Sequence, residues 1–472
     1  MKGFLNYQRS VYFYIAVGAV FVGICSPFLF ANGMFMDGAI YAVIAKNMAL
    51  GKGTFWTPYF SDTLMTVFYE HPPLAMWLES LFFRLFGTSI LVERFYSVLC
   101  IVLVGFLVVK IWKEITNEIV TAWFPLLLFI SFPIITWTAT NNMLENTMSV
   151  FICCSVFFYL KGSGKKKYFF TMISGLSLFL GVLSKGVVAF FPWTIPFWFF
   201  LFSKKIPFKQ VAIDTFILLI FTLLPLILLY IFSHNAKLFF DAYLSKQLFS
   251  SVTGMREVVD SRFLIVKRLW DNIIPALVVV TGILIAVVAK KQTTLLKEHI
   301  HNSLLFLSLS LCGVLPIMLS LKQSGFYIVP AYPFLAIAFA LPFQPLIQTL
   351  MEKISTSSKG FLSFKIVSCT LLIAVIVFSV SQKGKIARDK PELQLVFVCG
   401  QYIPPNTTIS IDKEMYSRWS LHAYFARYKS ISLDPDNRHR YYLHDKNLPI
   451  SPLDENSTVL AEMGDFVLFE RE

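Results

Sequence analysis

The sequence predicts an all-α polytopic membrane protein with a small soluble α/β domain at its C-terminal end. Three observations point there. The 472-residue chain is 56% hydrophobic and only 15% charged, whereas a soluble domain usually carries roughly a quarter charged residues. Apolar runs of about twenty residues recur, each long enough to cross roughly 30 Å of hydrocarbon. The only extended polar stretch lies at the end, from about residue 383.

Taken in order, the apolar runs lie near 11–31, 91–111, 119–138, 143–160, 168–184, 186–202, 211–232, 270–289, 303–320, 326–342 and 362–380. They predict about eleven spans. The first follows Lys2 and Arg9 and is too long for a cleaved signal core, so it reads as an uncleaved helix. The net charge of +13 does not mark a nucleic-acid binder, because the cations fall in short clusters between apolar runs. With the N-terminus cytoplasmic, one side collects Lys110 and Lys113; Lys161, Lys165, Lys166 and Lys167; Lys204, Lys205 and Lys209; Lys290, Lys291 and Lys297; and Lys353 and Lys359. That is the bias of cytoplasmic loops. The seven cysteines have no metal-like spacing and imply no disulfide framework.

An odd number of spans places the C-terminus outside, giving a membrane domain over 1–382 and an outer domain over 383–472. Two outer loops are long, about 32–90 and 233–269. In the first, residues 38–50 and 74–86 have the spacing of amphipathic interfacial helices. In the tail, Thr407 to Ile411 and Phe466 to Phe469 read as strands, and Met415 to Tyr428 has helical spacing. There is no internal repeat.

The polar residues hardest to explain all fall on the outer side. They are Asp37, just past the first run; Glu70 and His71, ahead of Pro72-Pro73; Asn141, Asn142 and Glu145, at the start of the fourth; Lys185; and Lys322. Each has a plain alternative. Asp37 could cap helix 38–50, the lysines could snorkel from helix ends, and His71-Pro72-Pro73 could be only a rigid turn. Glu145 is harder to dismiss, since a carboxylate at the centre of a membrane helix costs roughly 2.5–3.5 kcal/mol and needs a partner or water. Gathered in one outer cavity, a carboxylate can act as general base and cations can hold a departing phosphate.

The order Asp37, Tyr41, Glu70-His71-Pro72-Pro73-Leu74 and Phe83-Arg84-Leu85-Phe86-Gly87 resembles the first outer loop of the GT-C glycosyltransferases, in particular the aminoarabinose:lipid A transferases and protein O-mannosyltransferases. Ser184-Lys185-Gly186 resembles the family's Thr-Lys-Gly loop, and Lys322 to Pro333 its Lys-Leu-Pro-x-Tyr-x-x-Pro-x-x-Pro segment. The likeness covers most of the membrane region and fades in the tail.

The resemblance implies a GT-C fold and inverting transfer of a sugar from a polyprenyl-phosphate donor on the periplasmic face of a bacterial inner membrane. The acceptor would be a glycolipid, glycan or protein of the envelope. Asp37 takes the catalytic slot, Glu145 approximates a second acidic position, and Tyr41, Glu70, His71, Lys185 and Lys322 fall at the donor and its phosphate. The sequence departs from the family at Gly38, where many relatives carry a second acid, and at His71, where they carry lysine. The second outer loop offers four cations for a phosphate, Lys246, Arg256, Arg262 and Arg268, and nothing in the sequence selects among them. The leaving group is a simple phosphate, so no divalent metal is obligatory, though none is excluded. Two other readings stay open. One is an O-antigen ligase or polymerase using a lipid-diphosphate glycan. The other is a lipid or glycan transporter, which is disfavoured because polar groups gather at one interface and no repeated halves appear.

Overall fold

The computed structural model describes residues 2–203, 206–249, 259–291, 293–449 and 457–471. Its membrane part opens with α1 (Lys2–Leu29), α2 (Met36–Ala49), α3 (Leu74–Phe86), α4 (Leu91–Thr116), α5 (Trp123–Ser131), α6 (Pro133–Thr140), α7 (Leu144–Lys161), α8 (Lys167–Lys185), α9 (Ile195–Ser203), α10 (Phe208–Phe232) and α11 (His234–Tyr243). Further apolar helices occupy Leu264–Ala289, Ile300–Val314, Tyr332–Ala340 and Lys359–Val380.

Among the described residues, eight helices are long and apolar enough to cross a bilayer. A bent pair, α5 and α6, raises the count to nine. The other two of the eleven expected runs are α7, which carries Glu145 and Asn146 in its first turn, and the shorter apolar stretch Val187–Ser203. The run expected at 119–138 is the one most changed. Proline lacks the N–H that a continuous helix needs and forces the residue before it out of helical geometry. Pro133 does this to Phe132, whose ψ is 114°, and α5 meets α6 at 76°.

Loops assigned by charge to one side also meet there. Arg9 donates to the carbonyls of Met351 (3.1 Å) and Glu352 (3.3 Å). Lys167 pairs with buried Asp214 (3.0 Å), which also accepts from Tyr159 and Gln210. At the opposite end the chain leaves the last span and returns to the end of α1, where Asn32 N donates to the Lys385 carbonyl at 2.7 Å.

The tail folds as a five-stranded mixed sheet with strand order β2-β1-β3-β5-β4. The strands are β1 (Thr408–Ile411), β2 (Ser432–Asp434), β3 (Tyr441–Asp445), β4 (Thr458–Met463) and β5 (Phe466–Glu470). β1 runs parallel to β2 and β3, while β5 is antiparallel to both β3 and β4. The helical region expected over Met415 to Tyr428 is divided, with a 3-10 turn, the short helix Trp419–Tyr424 and a wide terminal turn.

This sheet does not stand apart. Its core is continuous with that of the connection between α1 and α4, joining Met34, Ile40, Ile44 and Phe68 to Leu393, Ile409, Leu421 and Leu468. α2 is consequently buried on nearly every face. α3 instead keeps Leu85 and Phe86 exposed, as suits a helix lying along the interface.

Candidate active site

The site is built where α2, the α6–α7 elbow, the end of α8 and the 3-10 helix Gly325–Ala331 converge. Asp37 is the second residue of α2 and half-buried. It does not cap the helix. The N-cap position is Phe35, whose side chain makes no capping hydrogen bond. Asp37 sits in that turn, where the helix dipole favours a carboxylate. One turn on, Tyr41 is buried and sets its ring against His71 (5.8 Å between centroids) and Phe68 (6.4 Å).

Burial holds the Tyr41 hydroxyl well above its ordinary pKa, and Asp37, Glu145, Tyr327 and Glu70 push it further in the same direction. Tyr41 is therefore a neutral hydroxyl within reach of Asp37 on its own helix and of three groups from three distant stretches of chain. Glu70 and His71 are both half-buried on the turn into α3.

Gly38 explains one departure from the family. A Cβ placed there would lie 1.8 Å from the Asn141 carbonyl oxygen, so no side chain fits. The elbow that presses on it is tied down on every side. Asn141 Oδ1 accepts from Phe35 N (2.7 Å). Asn142, in left-handed geometry at φ 51°, donates to the Gly38 carbonyl (3.3 Å) and to Glu79 (2.9 Å). Asparagine tolerates that conformation better than most residues, which is why the chain can reverse here and start α7 with Glu145 facing inward.

Glu145 is fully buried, and Lys185 Nζ donates to its Oε1. Its Oε2 has no hydrogen-bond partner among the described residues. Lys185 ends α8 and also lies over the faces of Phe326 and Tyr327, 5.2 Å from each centroid. Gly186 follows at φ +114°, with Tyr243 of α11 closing over it so tightly that a Cβ would meet the Tyr243 hydroxyl at 1.9 Å.

Lys322 lies half-buried in the loop before Gly325, and its backbone N–H donates to Ser320 Oγ (3.1 Å). Of the second-loop cations, Arg268 packs against Gly325, while exposed Arg262 donates to the Leu319 carbonyl (3.2 Å). Arg256 and the Lys246 side chain lie outside the described residues.

The sequence reading passed over Phe326 and Tyr327 as individual residues, although they fall inside the quoted Lys322–Pro333 segment. It also missed Arg94, buried in the first turn of α4. Adjacent Glu93 and Arg94 inside an apolar run were a signal, because ionisable groups there need partners. Among the described residues no group of three or more His, Cys, Asp or Glu side chains could hold a metal ion.

The sequence pattern of the dolichyl-phosphate-mannose-protein mannosyltransferase family matches residues 70–231. A protein of Aquifex aeolicus described as uncharacterized is 31% identical over 161 residues, 34% of this chain and 31% of its own. The undecaprenyl phosphate-alpha-4-amino-4-deoxy-L-arabinose arabinosyl transferase 1 of Proteus mirabilis is 27% identical over 157 residues, 32% of this chain and 28% of its own. The match thus spans about a third of the length of these curated relatives. The ArnT of Cupriavidus metallidurans, solved bound to undecaprenyl phosphate, superposes over 97% of both chains with a TM-score of 0.64 at 14% identity. The chain has the fold of that ArnT and, over about a third of its length, resembles glycosyltransferases of the aminoarabinose-transferase and protein-mannosyltransferase kind.

Proposed function

We propose that this chain is an inverting glycosyltransferase that moves a sugar from a polyprenyl phosphate to an envelope acceptor. It would act on the periplasmic face of a bacterial inner membrane, with its N-terminus cytoplasmic. The observation that carries the proposal is the convergence on Tyr41. Asp37 lies one helical turn before it on α2, His71 packs against its ring, and Lys185, paired with Glu145, lies over Tyr327. Carboxylates and cations meeting at a rim beside apolar helices suit a charged headgroup whose tail stays in the bilayer.

In the proposed displacement the acceptor attacks the anomeric carbon from the face opposite the lipid phosphate. Asp37 takes the acceptor's proton as the new bond forms. The bond from the anomeric carbon to the phosphate oxygen breaks, and polyprenyl phosphate leaves with that electron pair. Lys322, Arg268 and Lys185 oppose the negative charge that develops on it. Tyr41, kept neutral by its neighbours, is a hydrogen-bond donor to the donor lipid. Glu145 positions Lys185 against Phe326 and Tyr327. His71 stands in the slot of a family lysine and sets its ring against Tyr41. The leaving group is a phosphate monoester and not a nucleotide diphosphate, so a divalent ion is not obligatory for the proposed step.

Proteoliposomes holding the full chain, an undecaprenyl-phosphate-linked sugar and a crude envelope glycolipid fraction test the reading. The expected products are free undecaprenyl phosphate and a glycolipid heavier by one sugar. No release from this donor, together with consumption of a lipid-diphosphate oligosaccharide, would favour the ligase alternative. Translocation without any covalent product would favour transport.

A further inference from the structure

Outside the carboxylate–lysine site the structure holds a cavity of about 290 Å³ at the outer end of α1. Ile24 and Phe28 of α1, Arg94 of α4, Trp137 of α6, Asn141 of the elbow and Arg388 of the segment leading into the tail all line it. Trp137 separates it from the proposed active site. Its indole stacks on Phe326 (5.9 Å, 13° between planes), and Lys185 rests over that same ring.

The charge in this cavity is unbalanced. Arg94 is only 3% exposed. It donates to the carbonyls of Thr140 (2.7 Å) and Gly33, but its Nε has no hydrogen-bond partner among the described residues. Its sequence neighbour Glu93 does not neutralise it closely, since both Glu93 oxygens are held by Arg427, at 3.0 and 2.8 Å. A guanidinium buried without a paired anion is unfavourable, and an anion entering the cavity would relieve that. At the mouth, Arg388 lies over the Phe35 ring (5.4 Å) and pairs with Asp389 (3.3 Å), leaving its side chain about two-fifths exposed (41%).

The walls say what kind of anion. Ile24 and Phe28 are exposed on a membrane-spanning helix, so that side of the cavity faces hydrocarbon. The volume is at the small end of the roughly 300–1,000 Å³ usual for ligand pockets. It suits a headgroup whose chains remain outside. Arginine is the cation suited to bidentate contact with phosphate oxygens.

We propose that this cavity is a second lipid-phosphate site. It takes the phosphorylated head of an acceptor lipid, with Arg94 as the buried counter-charge and Arg388 closing over it. The acceptor role rests on the glycosyltransferase reading above; the binding of a lipid phosphate does not. Asn141 links the two sites, since it lines the cavity and its carbonyl presses on Gly38, the residue after Asp37.

The intact chain in detergent, titrated with dioleoyl phosphatidic acid and followed by native mass spectrometry, tests the site. The wild type should retain phosphatidic acid in preference to phosphatidylcholine. Arg388→Gln should weaken retention about tenfold, in keeping with loss of one partly exposed charge-assisted contact, and Lys322→Gln, half-buried at the proposed donor phosphate, should leave it unchanged. Arg94→Lys, with a thermal melt as folding control, should weaken it as well. Wild-type retention by Arg388→Gln, or its loss in Lys322→Gln, would overturn the proposal. So would displacement by undecaprenyl phosphate, which would make this the donor's site, or by inorganic phosphate at equal concentration, which would make it a free-anion site. Turnover does not enter the readout, so arginine-dependent retention in a chain without transferase activity would sink the proposed function and leave this site standing.

Discussion

The Lys185 ammonium donates directly to the Glu145 carboxylate inside the bundle, with side-chain exposures of 5% and 0%. Such a pair is weak support for stability when intact, but removing one partner strands the other charge. Glu145→Gln should therefore lower stability by about 3–5 kcal/mol, seen as a depressed thermal melt in detergent. The double variant Glu145→Gln/Lys185→Met should recover most of that loss and recover no transfer. Equal activity in the double variant and the wild type would show that the pair only holds the helices together.

Gly38 makes a sharper test of positioning. A methyl at this place meets the Asn141 carbonyl at 1.8 Å, so Gly38→Ala must shift the start of α2 and Asp37 with it. Displacement of a reacting group by ~1 Å is worth roughly 10²-fold in rate, and transfer by Gly38→Ala should fall by about that much. A variant that folds and retains full activity would mean that the place of Asp37 does not matter.

The tail is fixed to α2 and the start of α4 by buried charge. Arg427 grips Glu93 with side-chain exposures of 4% and 1% and donates to the carbonyls of Thr88 and Ser89. Lys46 Nζ reaches back to the carbonyls of Ala426 (2.7 Å) and Arg427 (3.2 Å). Arg427→Met leaves Glu93 buried and unpaired at a cost of about 3–5 kcal/mol. The expected result is rapid proteolysis near residues 383–389 while the membrane helices stay intact. Unchanged protease resistance would contradict a docked tail.

Acid should loosen the same layer through His422. Burial lowers its pKa from 6.5 to about 4, against a smaller opposing push from its hydrogen bond to the Tyr416 carbonyl. The folded state thus binds the proton less readily than the unfolded state. Stability is fully present above pH 6.5 and is lost as the pH falls toward 4, by a few kcal/mol at most at ~1.4 kcal/mol per pKa unit. Melts of the wild type should steepen downward across that window, and His422→Gln should flatten the slope. A parallel slope in both would assign the acid effect elsewhere.

The parts of this fold that composition and periodicity control were legible in the sequence. The helices expected at 38–50 and 74–86 occur at Met36–Ala49 and Leu74–Phe86, but only the second keeps exposed apolar residues as an interfacial helix would. The first is buried on nearly every face beneath the tail, a long-range contact that local spacing does not contain. β1 and β5 were likewise visible as β-branched and aromatic runs. β2, a three-residue strand ending in Asp434, carried too little pattern to be read, and its place in the sheet comes from pairing with β1. The break at Phe132 was hidden because α5 and α6 are both apolar, so hydropathy reads straight through Pro133. Glu145 was singled out by the price of a carboxylate in a span, but its pairing with Lys185 is a long-range contact that no local pattern contains. Arg94 stood out as a charge in an apolar run, but what it bonds to was not legible. Its partners are carbonyls at Gly33 and Thr140, and carbonyls leave no mark in a sequence.

The most direct test of the central claim is the turnover of Asp37→Asn in proteoliposomes charged with a polyprenyl-phosphate sugar. A positioned general base contributes about 10²–10⁴-fold. Transfer should drop by that range while the thermal melt and undecaprenyl phosphate binding stay at wild-type values. Turnover within a few-fold of wild type would show that Asp37 is not the base and that the chemistry lies elsewhere in the molecule.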